Sequence, residues 1–176
     1  MRFEPLPLAG AFLIVPEPIC DERGFFARMW CRREFAQQGL AADWEQGSVS
    51  HNLKAGTLRG LHFQRAPHEE TKLVRCTAGA VFDVLLDLRR ESPTYLQWCG
   101  VDLSAGNRHA VYIPKGVAHG FQTLVDTAEV TYAISGYFHA DASAGVRWND
   151  PVFSIEWPPA AQRVISPRDS AYPDYV

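Results

Sequence analysis

The sequence lacks the marks of several protein classes. Its first thirty residues hold Pro5, Pro7, Pro16 and Pro18, with acidic residues ahead of any long apolar run. Neither a signal peptide nor a membrane helix is expected there, and the cytoplasm is the expected compartment. The four cysteines, Cys20, Cys31, Cys76 and Cys99, include no Cys-x-x-Cys pair. That spacing argues against a zinc knuckle or a secreted disulfide framework and predicts reduced thiols, mostly buried. No block of like charge follows from 17 basic and 20 acidic residues, a net −3, so nucleic acid is a poor partner. There is no repeated unit and almost no helical periodicity.

What is present is ordinary globular material. The 176 residues, 47% apolar and 21% charged, fit one domain spanning the chain, with roughly two-thirds of the unfolded surface buried. Twelve Pro and thirteen Gly separate short runs rich in Val, Ile, Leu, Phe, Tyr and Thr. These predict strands at 12–15, 24–30, 46–52, 58–64, 73–76, 80–88, 98–103, 109–113, 119–124 and 127–134. One short helix is predicted from Arg32 to about Gln38, with Gly39 ending it in the left-handed conformation. About ten strands at spacings near ten residues predict an all-β antiparallel sandwich or barrel, with a jelly roll favoured. The tail from Trp148 carries too many prolines for central strands and is expected to wrap the barrel as an ordered loop.

Several residues stand out chemically. In Gly-Thr-Leu-Arg-Gly-Leu-His-Phe-Gln (56–64), regular alternation puts His62 on one strand face and Arg59 on the other. A bulge at Gly60 would bring both to one pocket; without it, His62 is a half-buried wall residue beside a surface arginine. Lys72 shares a face with Val74 and Cys76, so it is either a site lysine or one that reaches solvent at the strand mouth. Tyr132 lies among apolar neighbours, as a core tyrosine with one hydrogen bond would. His119 follows a Pro-x-Gly turn in Ile-Pro-Lys-Gly-Val-Ala-His-Gly-Phe, which resembles the second motif of the cupin barrels. The first, metal-holding cupin motif is degraded around His62 and His68, and no metal site is expected.

Five blocks in order resemble the dTDP-4-dehydrorhamnose 3,5-epimerase family: Asp-Glu-Arg-Gly-Phe-Phe (21–26), the 56–64 segment, Lys-Leu-Val-Arg-Cys (72–76), the 113–121 segment and Arg-Trp-Asn-Asp-Pro (147–151). The resemblance runs from about residue 3 to Asp169. It implies a cupin-type jelly roll with short flanking helices, a homodimer, no cofactor, and a nucleotide-linked 4-keto-6-deoxyhexose as substrate. It also implies His62 as base, Asp169 as its carboxylate partner, Tyr132 as proton donor and Lys72 at the enolate oxygen. Arg59 and His119 would line the sugar and diphosphate. Arg23 from the partner subunit, Phe26, Gln46, Ser48, Phe138 and Arg168 would complete the substrate site.

The chain departs from the family pattern at Arg28 and Ser143, each in place of a glutamate, and at Gln46-Gly47-Ser48-Val49 in place of Gln-Asp-Asn-His. These changes leave open a CDP- or GDP-linked sugar, or inversion of carbon 3 alone. The rival chemistry is a metal-dependent cupin oxygenase or isomerase.

Overall fold

Strands form where β-branched and aromatic residues run between glycine and proline breaks. The computed structural model describes residues 1–176. The chain opens with β1 (Arg2–Pro5), β2 (Phe12–Val15), β3 (Ile19–Asp21), β4 (Gly24–Phe26) and the helix α1 (Arg32–Gln37). The body follows as β5 (Gln46–Asn52), β6 (Thr57–Gln64), β7 (Lys72–Ala78), β8 (Ala80–Asp87), β9 (Trp98–Ser104), β10 (Ala110–Ile113), β11 (Val117–Thr123) and β12 (Ala128–Ile134). A 3-10 turn leads into β13 (Ser143–Gly145), and the tail adds β14 (Val164–Ile165) and the short helix α2 (Pro167–Ser170).

One sheet runs β1-β2-β10-β7-β12-β5, and the other runs β13-β6-β11-β8-β9 with β14 laid parallel on β6. All other pairings are antiparallel. Val74, Val111 and Val130 of the first sheet pack into one buried cluster with Val81, Leu85, Leu103 and Phe121 of the second. The sheets therefore face each other across a shared apolar interior, the all-β architecture that the strand spacing predicts. Burying each such side chain contributes about 1.5–3 kcal/mol. Helix α1 ends with Gly39 at φ +72° and buries Phe35 edge-on against Phe3 and Tyr112 on the outside of the first sheet. No helix is long and apolar enough to cross a membrane.

Three expectations need correction. The predicted strand 24–30 stops at Phe26, because β4 pairs only with β3 in an isolated ribbon and finds no further neighbour. The tail is more than a loop: β14 and α2 are built into it. Of the four thiols, all free, only Cys76 and Cys99 are buried; Cys20 is exposed on β3, which has no covering layer.

At the end of β8 the fully buried Asp87 accepts hydrogen bonds from Arg89 (Nε 2.8 Å, Nη2 2.7 Å), Ser92 Oγ (2.5 Å) and Thr94 Oγ1 (2.6 Å). Burial pushes its carboxyl up, but these donors more than offset that and hold it at about 2. A folded pKa below the unfolded one stabilises the fold above the unfolded value of about 3.9 and ceases to do so as pH falls toward 2. Urea melts from pH 6 to 2.5 should therefore show the wild type losing about 2 kcal/mol that Asp87→Asn does not lose.

Candidate active site

Between the sheets lies a cavity of about 690 Å³. The first sheet contributes Ser48, Ser50, Lys72 and Tyr132; the second contributes Arg59, His62 and His119; the tail contributes Ser166, Arg168 and Asp169. The first set follows from register. Tyr132 stands opposite Ser48 on one side and Val74 on the other, and Ile134 stands opposite Lys72, so period-two alternation turns Lys72, Ser48 and Tyr132 to one face. Lys72 lines the cavity at 12% side-chain exposure, with its Nζ 3.0 Å from Glu70 Oε1. Glu70 Oε2 accepts in turn from Gln64 Nε2 at 2.8 Å, so the ammonium has the partner that burial requires.

The second set depends on a break in alternation. His119 stands opposite His62 and Phe121 opposite Arg59, so Gly60 and Leu61 together face the single residue Gly120. That extra residue is a bulge, and it brings Arg59 and His62 to the same cavity. Gly60 has φ +115°, and a Cβ there would lie 2.6 Å from the Gly120 Cα. A Cβ on Gly120 would lie 2.7 Å from the Arg59 carbonyl oxygen, so the close approach needs glycine on both strands.

The bulge also frees a donor. The Gly60 amide donates to Asp169 Oδ2 at 3.2 Å, while Oδ1 lies 2.8 Å from His62 Nε2. Asp169 is delivered by α2, where Ser166 caps the helix by accepting from the Asp169 amide at 3.1 Å and Pro167 fills the first turn. Burial pushes the Asp169 carboxyl up, but the bonds from His62 and the Gly60 amide hold it below the usual carboxylate value. An ionised carboxylate on Nε2 selects the tautomer whose lone pair is on Nδ1, the nitrogen that no protein group occupies.

Across the cavity the Tyr132 hydroxyl lies 3.3 Å from Ser50 Oγ, and burial pushes this phenol up to about 12. It is therefore a protonated, neutral group at physiological pH. The His119 ring meets the Tyr132 ring edge-on at 6.1 Å, and its Nε2 lies 2.8 Å from Oδ2 of the fully buried Asp83. Arg59 is steadied by Nε donating to Asn52 Oδ1 at 2.7 Å, and Arg168 by Nη2 donating to Ser143 Oγ at 2.8 Å.

The site thus gathers His62, Tyr132, Lys72, Asp169, Arg59, His119, Ser48 and Arg168. Four sequence candidates stay outside the cavity. Arg23 is ion-paired with Asp21 on the exposed β3–β4 ribbon, where Phe26 is 72% exposed. Phe138 also projects into solvent, and Gln46 donates to the Gly136 carbonyl at 2.8 Å. Sequence reasoning missed Asp83, Glu70 and Ser50. Asp83 had a usable signal, since a lone carboxylate inside Ala-Val-Phe-Asp-Val-Leu-Leu demands a buried partner. No cluster of three or more His, Cys, Asp or Glu is arranged to hold a metal.

Comparison with known proteins gives the family. The family model described as dTDP-4-dehydrorhamnose 3,5-epimerase matches residues 5–175. The enzyme of that name from Salmonella typhimurium is 42% identical over 167 residues, covering 94% of this chain and 91% of its own. A dTDP-4-dehydrorhamnose 3-epimerase from Streptomyces niveus is 39% identical over 96% of this chain and 81% of its own. The crystal structure of the Bacillus anthracis 3,5-epimerase with TDP and PPi bound superposes with a TM-score of 0.94 at 39% identity, covering 99% of each chain. Matching over nearly its whole length, the chain belongs to the dTDP-4-dehydrorhamnose 3,5-epimerase family.

Proposed function

We propose that this chain inverts carbons 3 and 5 of a dTDP-linked 4-keto-6-deoxyhexose, with His62 as base and Tyr132 as acid. The ketone on carbon 4 acidifies the neighbouring C–H bonds. His62 Nδ1 takes the proton, the C–H electron pair becomes the enolate, and the Lys72 ammonium stabilises the developing oxyanion. Tyr132 then gives its proton to the opposite face of the carbon, the enolate collapses to the ketone, and the centre is inverted. Asp169 keeps His62 in the basic tautomer and stabilises the imidazolium that forms.

One observation carries this reading: His62 and Tyr132 enter one cavity from opposing sheets, as a base and an acid acting on two faces of a sugar ring require. Arg59 and Arg168, both lining that cavity, suit the diphosphate. The Bacillus anthracis relative, which binds TDP, supports a thymidine nucleotide. Arg23 and Phe26, exposed and not among the residues that line their own cavity, fit a role in a partner copy's site and hence a homodimer.

Incubation with dTDP-4-dehydro-6-deoxyglucose in deuterated water tests the assignment. Deuterium is expected at both carbons 3 and 5, read by NMR. Label confined to carbon 3 would make this chain a 3-epimerase, like its Streptomyces niveus relative.

A further inference from the structure

We propose that Tyr172 is a positioning residue for His62, holding the plane of the imidazole from the side away from the substrate. The proposal rests on His62 being the base. Asp169 fixes His62 at a single atom, through the 2.8 Å contact at Nε2. Tethered at Cγ and bonded at Nε2, the ring can still turn about the line through those two atoms, whereas proton abstraction needs Nδ1 aimed to within roughly 10–20°.

Tyr172 supplies a second contact. Its ring meets the His62 ring edge-on, with centroids 6.3 Å apart and planes at 67°. Tyr172 is not among the residues that line the cavity, so it supports the imidazole without touching substrate.

The space for this ring has been made in the neighbouring strand. Gly145 pairs with His62 in the β13–β6 ladder. A Cβ on Gly145 would fall 2.3 Å from Tyr172 Cζ and 2.4 Å from Cε2, so the phenol occupies the place where a side chain would stand. The Tyr172 hydroxyl is buried there with no hydrogen-bond partner. Nothing in its polar contacts explains the residue, and its ring accounts for its place.

The test is a double-mutant cycle with purified full-length protein, following kcat, KM and the His62 ring signals by NMR. Tyr172→Ala is expected to lower kcat about tenfold, to leave KM within about twofold, and to shift and broaden the His62 signals. Tyr172→Phe, which keeps the ring, recovers the turnover and melts no lower than the wild type. Gly145→Ala displaces the phenol and lowers kcat in the wild-type background, but has little effect once Tyr172 is alanine. If Tyr172→Ala melts below assay temperature, Gly145→Ala carries the same test. Unchanged kcat in these variants, failure of Phe to rescue, or additive losses overturn the proposal. If His62→Ala retains activity, the underlying assignment of the base fails instead.

Discussion

His62→Ala should lower turnover by roughly a thousandfold, about 4 kcal/mol of transition-state stabilisation, the middle of the range for a general base. The loss should appear equally in deuterium wash-in, because both inversion and exchange begin with the same abstraction. Asp169→Asn should also be severe for a different reason. An amide oxygen can still accept from Nε2, but the charge that balances the imidazolium is gone, and the new NH2 then faces the Gly60 amide donor against donor, so that bond is lost. A His62→Ala enzyme within tenfold of wild type would remove the base from the mechanism, whatever the fate of Asp169→Asn.

Tyr132→Phe should separate the two halves of the reaction. The substitution deletes one oxygen and its 3.3 Å contact with Ser50, so the wall between Val130 and Ile134 keeps its shape. Abstraction by His62 continues, and deuterium still enters from the face where the proton left. Inversion, however, should fall at least a hundredfold. Stopped-flow and NMR in deuterated water would show labelled but uninverted sugar. With the phenol pushed up to about 12, the wild type should lose no activity through this group as pH rises to 10. Parallel loss of exchange and inversion in Tyr132→Phe would mean the tyrosine binds or orients rather than donates.

Much of the architecture could be read locally. Alternation in Lys-Leu-Val-Arg-Cys and Glu-Val-Thr-Tyr-Ala-Ile places Lys72 and Tyr132 on inward faces, because the two strands keep regular register from Val130 opposite Cys76 to Ile134 opposite Lys72, the one shift falling before Val130. The same rule misleads at Arg59 and His62, where faces can be counted only after the two-against-one pairing at Gly60 is known. A glycine inside a strand signals such a break but does not say which way the parity falls. The carboxylate on His62 lies 107 residues away in the chain, so no local pattern links them, and only family resemblance brought Asp169 forward. Asp83 escaped because its partner His119 comes from another strand, and Glu70, although only two residues before Lys72, because it lies ahead of β7 where alternation no longer tells which way a side chain turns. Arg23, Phe26 and Phe138 were selected by resemblance, and a single chain leaves them outside the cavity it encloses.

The late arrival of α2 bears on how the enzyme is made. Every strand of both antiparallel ladders has been synthesised by Gly145, whereas the carboxylate that tunes the imidazole follows on a segment tied to β6 by a two-residue parallel pair. The ladders are thus complete without Asp169, and the imidazole gains its carboxylate only when this strap docks.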